Sequence, residues 1–151
     1  MERTFIMLKP DAVQRALIGP ILSRFEARGL RFLALKLLVV SDELAARHYA
    51  EHQGKRFYDG LVRHVTSGPV IAAVLEGPKA IEAVRRTLGS TNPLEAAPGT
   101  IRGDYGITIG PNLVHASATP DDAQREIELW FKPAELASYE RGIDRWVFAE
   151  D

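Results

Sequence analysis

The chain alternates between short apolar runs and amphipathic stretches. Thr4-Phe5-Ile6-Met7-Leu8 is an unbroken apolar run, the pattern of a strand covered on both faces. Lys9-Pro10-Asp11 stops it, because proline cannot extend a ladder. Gly19-Pro20 predicts a helix start, with Ile21, Leu22 and Phe25 on one face and Gly29 as its left-handed end. Leu30 to Val40 predicts a long second strand. Ser41 predicts an N-cap, followed by two carboxylates in the first turn. That helix carries Leu44, Ala45, His48, Tyr49 and His52. A second short helix carries Phe57, Leu61 and Val65, and the ordinary reading of Tyr49, Phe57 and Leu61 is helix-pair packing. Val70 to Leu75 is a further buried-type strand. Gly77-Pro78 predicts a helix with Ala80, Ile81, Val84 and Leu88 inward, ended by Gly89.

From Ser90 to Gly110 the periodicity stops. A connection this long in a compact protein is functional or disordered, and its prolines together with Gly99-Thr100-Ile101-Arg102-Gly103-Asp104 argue for order. Asn112-Leu113-Val114-His115-Ala116-Ser117 predicts a short buried strand running into a tight turn. Thr119-Pro120-Asp121-Asp122 is a helix start, with Ala123, Ile127, Trp130 and Phe131 as the buried stripe. Glu126 falls at the edge of that stripe, where a carboxylate needs a partner; His115 is near enough in sequence to supply one. The tail from Lys132 is expected to pack on the domain or on a neighbouring subunit. With the helical pair set aside, the order is β-α-β-β-α-β. The expected fold is α+β, a ferredoxin-like sandwich whose antiparallel sheet has helices over one face, with an inserted helical pair, a long ordered loop and a C-terminal tail.

Composition narrows the possibilities. The 151 residues suit a single domain, 1–151, with no evident linker or internal repeat. With no cysteine there are no disulfides, zinc-thiolate sites or thiol chemistry. The net charge of −1 supplies no global field for nucleic acid or an anionic membrane, so an anionic ligand must be held by a local cluster. No apolar run is long enough to span a bilayer and the start has no signal-peptide profile, so a cytoplasmic protein is expected.

Lys9 at a strand tip, Arg85 at a helix end, Thr91 and Arg102 in the loop, and Asn112 and His115 near the last strand bring cationic donors and one nucleophile from separate elements. Without a Walker-type glycine loop, they suggest phosphoryl transfer through a side chain. Taken singly each has an ordinary reading: His115 as a hydrogen-bonded rim residue, Lys9 as a solvated strand-end charge, Arg85 and Arg86 as cations suited to a helix C-terminus.

The segments Lys9-Pro10-Asp11, Ser67-Gly68-Pro69-Val70, Thr91-Asn92-Pro93, Pro98-Gly99-Thr100-Ile101-Arg102-Gly103-Asp104 and Asn112-Leu113-Val114-His115 together resemble nucleoside diphosphate kinase, from about Glu2 to Phe148. The resemblance implies that His115 carries the γ-phosphate of a nucleoside triphosphate to a diphosphate in a ping-pong cycle. Glu126 would fix the imidazole, with Ser117 supporting Glu126. Lys9 and Tyr49 would serve the transferring phosphate. Arg85, Thr91 and Arg102 would hold the inner phosphates, with His52 near them, and Asn112 the sugar hydroxyl. Phe57 would stack on the base, with Leu61 and Ile109 completing an apolar slot of broad base tolerance. It also implies Mg²⁺ carried on the nucleotide phosphates with no protein metal ligands. The implied partners are ATP and other nucleoside di- and triphosphates and further copies of the chain, a hexamer before a tetramer or dimer. No membrane or specific nucleic acid is expected.

The chain departs from the family at His115-Ala116-Ser117-Ala118, where His-Gly-Ser-Asp is usual, and at Ala12 and Ala16, where glycine is usual. If Ala116 needs a positive φ, the imidazole is displaced. The expectation is an active enzyme; the alternative is a nucleotide-binding regulatory homologue with impaired transfer because of Ala116 and Ala118.

Overall fold

A computed structural model describes residues 1–149 of the chain. Glu150 and Asp151, the last two residues of the expected tail and domain, lie outside the described residues.

The first apolar run forms β1 (Glu2–Leu8) and sits inside the sheet. It pairs on one side with β3 (Val70–Gly77) and on the other with β4 (Val114–Ala116); β2 (Arg31–Leu38) pairs with β3. The order is β2-β3-β1-β4, antiparallel throughout, as the ferredoxin-like pattern requires.

Helices cover both faces of this sheet, not one. Ile6, Leu8, Ala73 and Leu75 meet Ile21 and Phe25 of α2 (Ile18–Ala27) and Val84 and Leu88 of α5 (Ala80–Leu88). On the other face, Phe5, Met7, Ala72 and Val74 meet Ala45 of α3 (Asp42–His48), Val65 of α4 (Tyr58–Val65) and Trp130 of α7 (Pro120–Trp130). The reason lies in the strands. β1 and β3 are apolar at both odd and even positions, so a single helical layer would leave half of those side chains in water. Each buried one contributes roughly 1.5–3 kcal/mol. The inserted helical pair and α7 form the second layer.

Most boundaries follow local chemistry. The Ser41 hydroxyl accepts from the Leu44 N–H at 3.1 Å and Thr119 from the Asp122 N–H at 3.1 Å, the two expected N-caps. Gly89 ends α5 at φ 87. Five details differ. α3 ends at His48, so Tyr49 is its C-cap and His52 falls in a separate 3-10 turn (Ala50–His52). A short helix α1 (Pro10–Gln14) follows Lys9 directly, with Pro10 in its first turn. α2 starts at Ile18, ahead of Gly19-Pro20, and Pro20 falls within the first turn, where its missing N–H is not needed. β3 runs through Gly77, so α5 starts at Ala80 rather than at Gly77-Pro78. β2 ends at Leu38 and bulges between Phe32 and Ala34.

The segment from Ser90 to Gly110 owes its order to secondary structure of its own: a 3-10 turn (Pro93–Glu95) and helix α6 (Ile101–Tyr105). Thr100 caps α6 by accepting from the Gly103 N–H at 3.0 Å, and Asp104 accepts from the Gly99 N–H and from Arg24 at 2.9 and 2.7 Å. The tail packs back on the chain. Arg141 donates to the carbonyls of Gly29 and Leu30, and Asp144, which opens α8 (Asp144–Val147), pairs with Arg31 at 3.0 Å.

Candidate active site

His115 is the middle residue of β4 and lies opposite Met7 of β1. The chain enters β4 through a tight bend. Leu113 has φ 77, and the Val114 N–H reaches back to the Asn112 carbonyl at 2.9 Å. This is the rare γ-turn with a positive central φ, a strained form that persists only when its surroundings over-determine it. Here the Leu113 side chain is fully buried, its carbonyl accepts from the Lys9 N–H at 2.8 Å, and its own N–H donates to the Asp11 carboxylate at 3.0 Å.

The imidazole is held from behind. His115 Nε2 lies 2.7 Å from Glu126 Oε1, and the Ser117 hydroxyl lies 2.9 Å from the same oxygen. The Glu126 carboxylate is buried on α7 and can only accept, so Nε2 carries the ring proton. Nδ1 keeps its lone pair, on a side chain a quarter exposed. The partner expected for Glu126 is thus His115, with Ser117 as a second donor.

Two residues that periodicity assigned only to helix faces complete this support. The Trp130 indole donates to His48 Nδ1 at 3.0 Å, and the His48 ring stands edge-on to His115 with centroids 4.6 Å apart. Burial first, then the positive neighbours, push the His48 pKa down to about 2, so it is neutral. His48, His115 and Glu126 have donor atoms within 4.8 Å of one another, which is metal-ligand spacing. Their protons argue against that use. Trp130 occupies the lone pair of His48 Nδ1, which leaves Nε2 protonated, and Glu126 Oε1 already accepts from His115 and Ser117.

In front of His115 opens a cleft of about 530 Å³. Lys9, Tyr49, His52, Phe57, Leu61, Arg85, Thr91, Arg102, Ile109 and Asn112 all line it, with Gly110, Val114 and Ala116. Of the expected site residues, only Glu126 and Ser117 stand behind the imidazole instead. The floor is tied together. Lys9 donates to Asn112 Oδ1 at 2.7 Å, and Asn112 Nδ2 donates to the Thr91 carbonyl at 3.0 Å. Arg102 reaches the carbonyls of Asn112, Gly89 and Val114, and Arg85 reaches that of Ala116 at 3.3 Å.

Among the described residues the lining contains three cationic side chains and no carboxylate. Burial, then the charge of Arg102, lowers the Lys9 pKa to about 8 despite Asp11 nearby. Burial, then Arg85, lowers that of Arg102 to about 10. Two buried like charges, Lys9 and Arg102, only partly offset by Asp11, make a site that is stabilised by an incoming anion. Burial, then Glu126, raises the Tyr49 hydroxyl to about 12, so it remains a donor. At the mouth, Phe57 and Ile109 are more than half exposed, and the His52 ring lies 5.3 Å from that of Phe57. An exposed aromatic at one end and buried cations at the other suit a ligand with a flat ring and a polyanionic tail.

The departures around His115 have a structural answer. Ala116 is a strand residue and is not among the positive-φ positions, so alanine there imposes no strain. Ala12 is helical and buried. Ala16 does have a positive φ, 58, but lies at the exposed end of α1. Ala118 lines a groove beside the cleft with Arg85 and Arg86.

The family model described as nucleoside diphosphate kinase matches residues 2–136. The chain is 58% identical to the nucleoside diphosphate kinase of Thermomicrobium roseum over 97% of this chain and 99% of that one. It is 56% identical to that of Carboxydothermus hydrogenoformans over 98% and 99%. Among solved structures, a nucleoside diphosphate kinase family protein from Babesia bovis superposes with a TM-score of 0.96 at 47% identity, covering 98% of this chain and all of that one. A halophilic nucleoside diphosphate kinase from Halobacterium salinarum, solved in complex with CDP, superposes with a TM-score of 0.95 at 50% identity over 98% and 99%.

Proposed function

The chain belongs to the nucleoside diphosphate kinase family, and from this we propose that His115 is the group that carries the phosphate, with the cleft before it as the nucleotide site. As an enzyme of this family it transfers the terminal phosphate of a nucleoside triphosphate to a nucleoside diphosphate. The observation that carries the residue assignment is the His115–Glu126–Ser117 array, open on its Nδ1 side to a cleft floored by Lys9, Arg85 and Arg102.

The Nδ1 lone pair of His115 forms a bond to the γ-phosphorus as the bond from that phosphorus to the β–γ bridging oxygen breaks. The electrons leave with the nucleoside diphosphate. No proton has to move, since Nε2–H stays on Glu126 and the carboxylate stabilises the positive ring that results. In the second half, a terminal oxygen of another nucleoside diphosphate attacks the phosphorus, and the electrons of the N–P bond return to Nδ1. Lys9 and Arg102 offset charge on the phosphates, and Tyr49 offers a protonated hydroxyl.

Asn112, already bonded to Lys9, would take a sugar hydroxyl. Phe57, Leu61 and Ile109 offer an apolar slot at the mouth. Stacking there favours any base, because every base has a π-face, and the CDP bound to the Halobacterium salinarum relative fits that reading. Mg²⁺ would be carried in on the nucleotide phosphates and would neutralise part of their charge; among the described residues the cleft lining holds no carboxylate to compete for the ion.

The proposal includes one domain across the chain, a cytoplasmic home among the nucleotide pool, and assembly as a homo-oligomer, a hexamer before smaller states. Leu35, Leu37 and Val39 support assembly, for they are exposed apolar side chains at the sheet edge formed by β2.

The test is labelling with γ-labelled ATP and Mg²⁺, on this protein and on His115→Asn. The expected result is an acid-labile, base-stable label on the first only, discharged by GDP. Label on both proteins, or none on either while exchange proceeds, would remove His115 from the role.

A further inference from the structure

The strained bend before His115 is held by a carboxylate that the phosphate chemistry does not use. Asp11, in the first turn of α1, turns one oxygen to the Leu113 N–H at 3.0 Å. Its other oxygen lies 3.1 Å from Nε2 of His64, in the last turn of α4. One carboxylate therefore joins a helix of the second layer to the turn between Asn112 and β4. Its charge is favoured: burial alone would raise the Asp11 pKa, but the hydrogen bond and charge of His64, with its own backbone N–H and Lys9, hold it below the ordinary value. The neighbouring restraints on the turn come from Lys9 and Arg102. The Lys9 restraint is its backbone N–H, while the Arg102 guanidinium must also answer to an incoming phosphate. Asp11 and His64 hold the turn from outside the phosphate site.

We propose that Asp11 and His64 form a positioning pair that keeps the Leu113 turn in its strained conformation, and so sets Asn112 and His115 against the bound nucleotide. This rests on the assignment of His115 and Asn112 made above. Asp11 has no direct part in the transfer. Without it the Leu113 N–H loses its partner and the bend can relax toward a negative φ. Asn112 is one residue from that bend and His115 two, so a relaxation of about 1 Å would reach both and cost up to roughly 100-fold in rate. His64 acts one step further back, by holding the Asp11 rotamer with a donated N–H.

The experiment is single-turnover phosphorylation of His115 by γ-labelled ATP, with final label stoichiometry giving the active fraction. The proteins are the wild type, Asp11→Ala, His64→Ala and His64→Gln. A wild type that takes no label would overturn the assignment of His115, and this proposal with it. With labelled wild type, Asp11→Ala is expected to slow phosphorylation by roughly 10–100-fold and to raise the KM for nucleotide at full stoichiometry. His64→Ala should show a smaller loss of the same kind. His64→Gln, which can still donate to Asp11, should recover most of the rate. Should Asp11→Ala not fold, the His64 pair decides alone: rescue by glutamine over alanine supports the pair. Equal rates for the two His64 variants, or a loss confined to stoichiometry with rate and KM unchanged, would overturn it.

Discussion

Alanine stands at position 16 and at position 116, and the backbone treats the two differently. Ala16 adopts φ 58, a left-handed conformation that costs an L-residue roughly 1–2 kcal/mol and glycine far less. After glycine's extra unfolded-state entropy is counted, Ala16→Gly is expected to stabilise the chain by roughly 0.5–1 kcal/mol. A higher urea midpoint with unchanged turnover would show it. At Ala116 the conformation is that of a strand, so Ala116→Gly should bring no gain in either quantity. The change that looks most threatening in the sequence is thus mild, and the strain sits at an exposed helix end.

Lys9 supplies the second residue-scale prediction. Its folded pKa, about 8, lies below its ordinary 10.5, so the unfolded chain binds this proton more tightly. Its burden on folding is therefore full below pH 8 and fades as the pH rises toward 10.5. Phosphates placed beside the ammonium favour the charged form. At about pH 9 nucleotide binding should therefore take up a proton that it does not take up at pH 7. Calorimetry in buffers of different ionisation heat would measure this. Equal and negligible uptake at both pH values would mean that the phosphates do not lie against Lys9.

At the scale of elements, β4 is short: its three residues hold His115 because β1 pairs with them from one side and α7 backs the imidazole through Glu126. Rigidity in so brief a strand comes from its neighbours. The other sheet edge has the opposite problem. β2 leaves Leu35 and Leu37 in water on the α2–α5 face, and Val39 just beyond its end, more apolar surface than an unpartnered edge normally shows. With assembly through this edge, as proposed, Leu37→Glu should lower the sedimenting mass while leaving the fold intact. An assembly of unchanged mass would move the interface away from this edge.

At the scale of the molecule, an ion network fastens the tail to the sheet. Glu76 on β3 pairs with Arg3 and Arg31, Arg31 pairs with Asp144, and Asp144 with Arg141. Burial alone would raise the Glu76 pKa, but bonds and charge from Arg31 and Arg3 outweigh it and bring it below its ordinary 4.5. A lowered carboxylate pKa means that the unfolded chain binds the proton more tightly. The stabilisation by Glu76 is therefore present above pH 4.5 and is lost as the pH falls through the folded value. Glu76→Gln should destabilise the protein at neutral pH and flatten its stability curve below pH 4.5. Urea unfolding across that range gives the comparison, and parallel curves would place the acid sensitivity elsewhere.

The sequence by itself determined the two-sided burial of β1 and β3, the N-caps at Ser41 and Thr119 and the strand order's ferredoxin-like pattern. It also carried the family's motifs and, through them, nearly every residue of the cleft. These are local signals: an apolar run, a capping hydroxyl and a motif are each legible over a few neighbouring positions. What only the tertiary structure decided depends on contacts between distant segments. The second helical layer follows from which helices reach each face of the sheet, a matter of packing across the whole chain. The places of His48 and Trp130 behind the imidazole, and of Asp11 and His64 behind the Leu113 turn, join residues tens of positions apart. The φ at Ala116 was open for the same reason. A backbone torsion is set by the strand it must pair with, and β1, which fixes it, lies more than a hundred residues away.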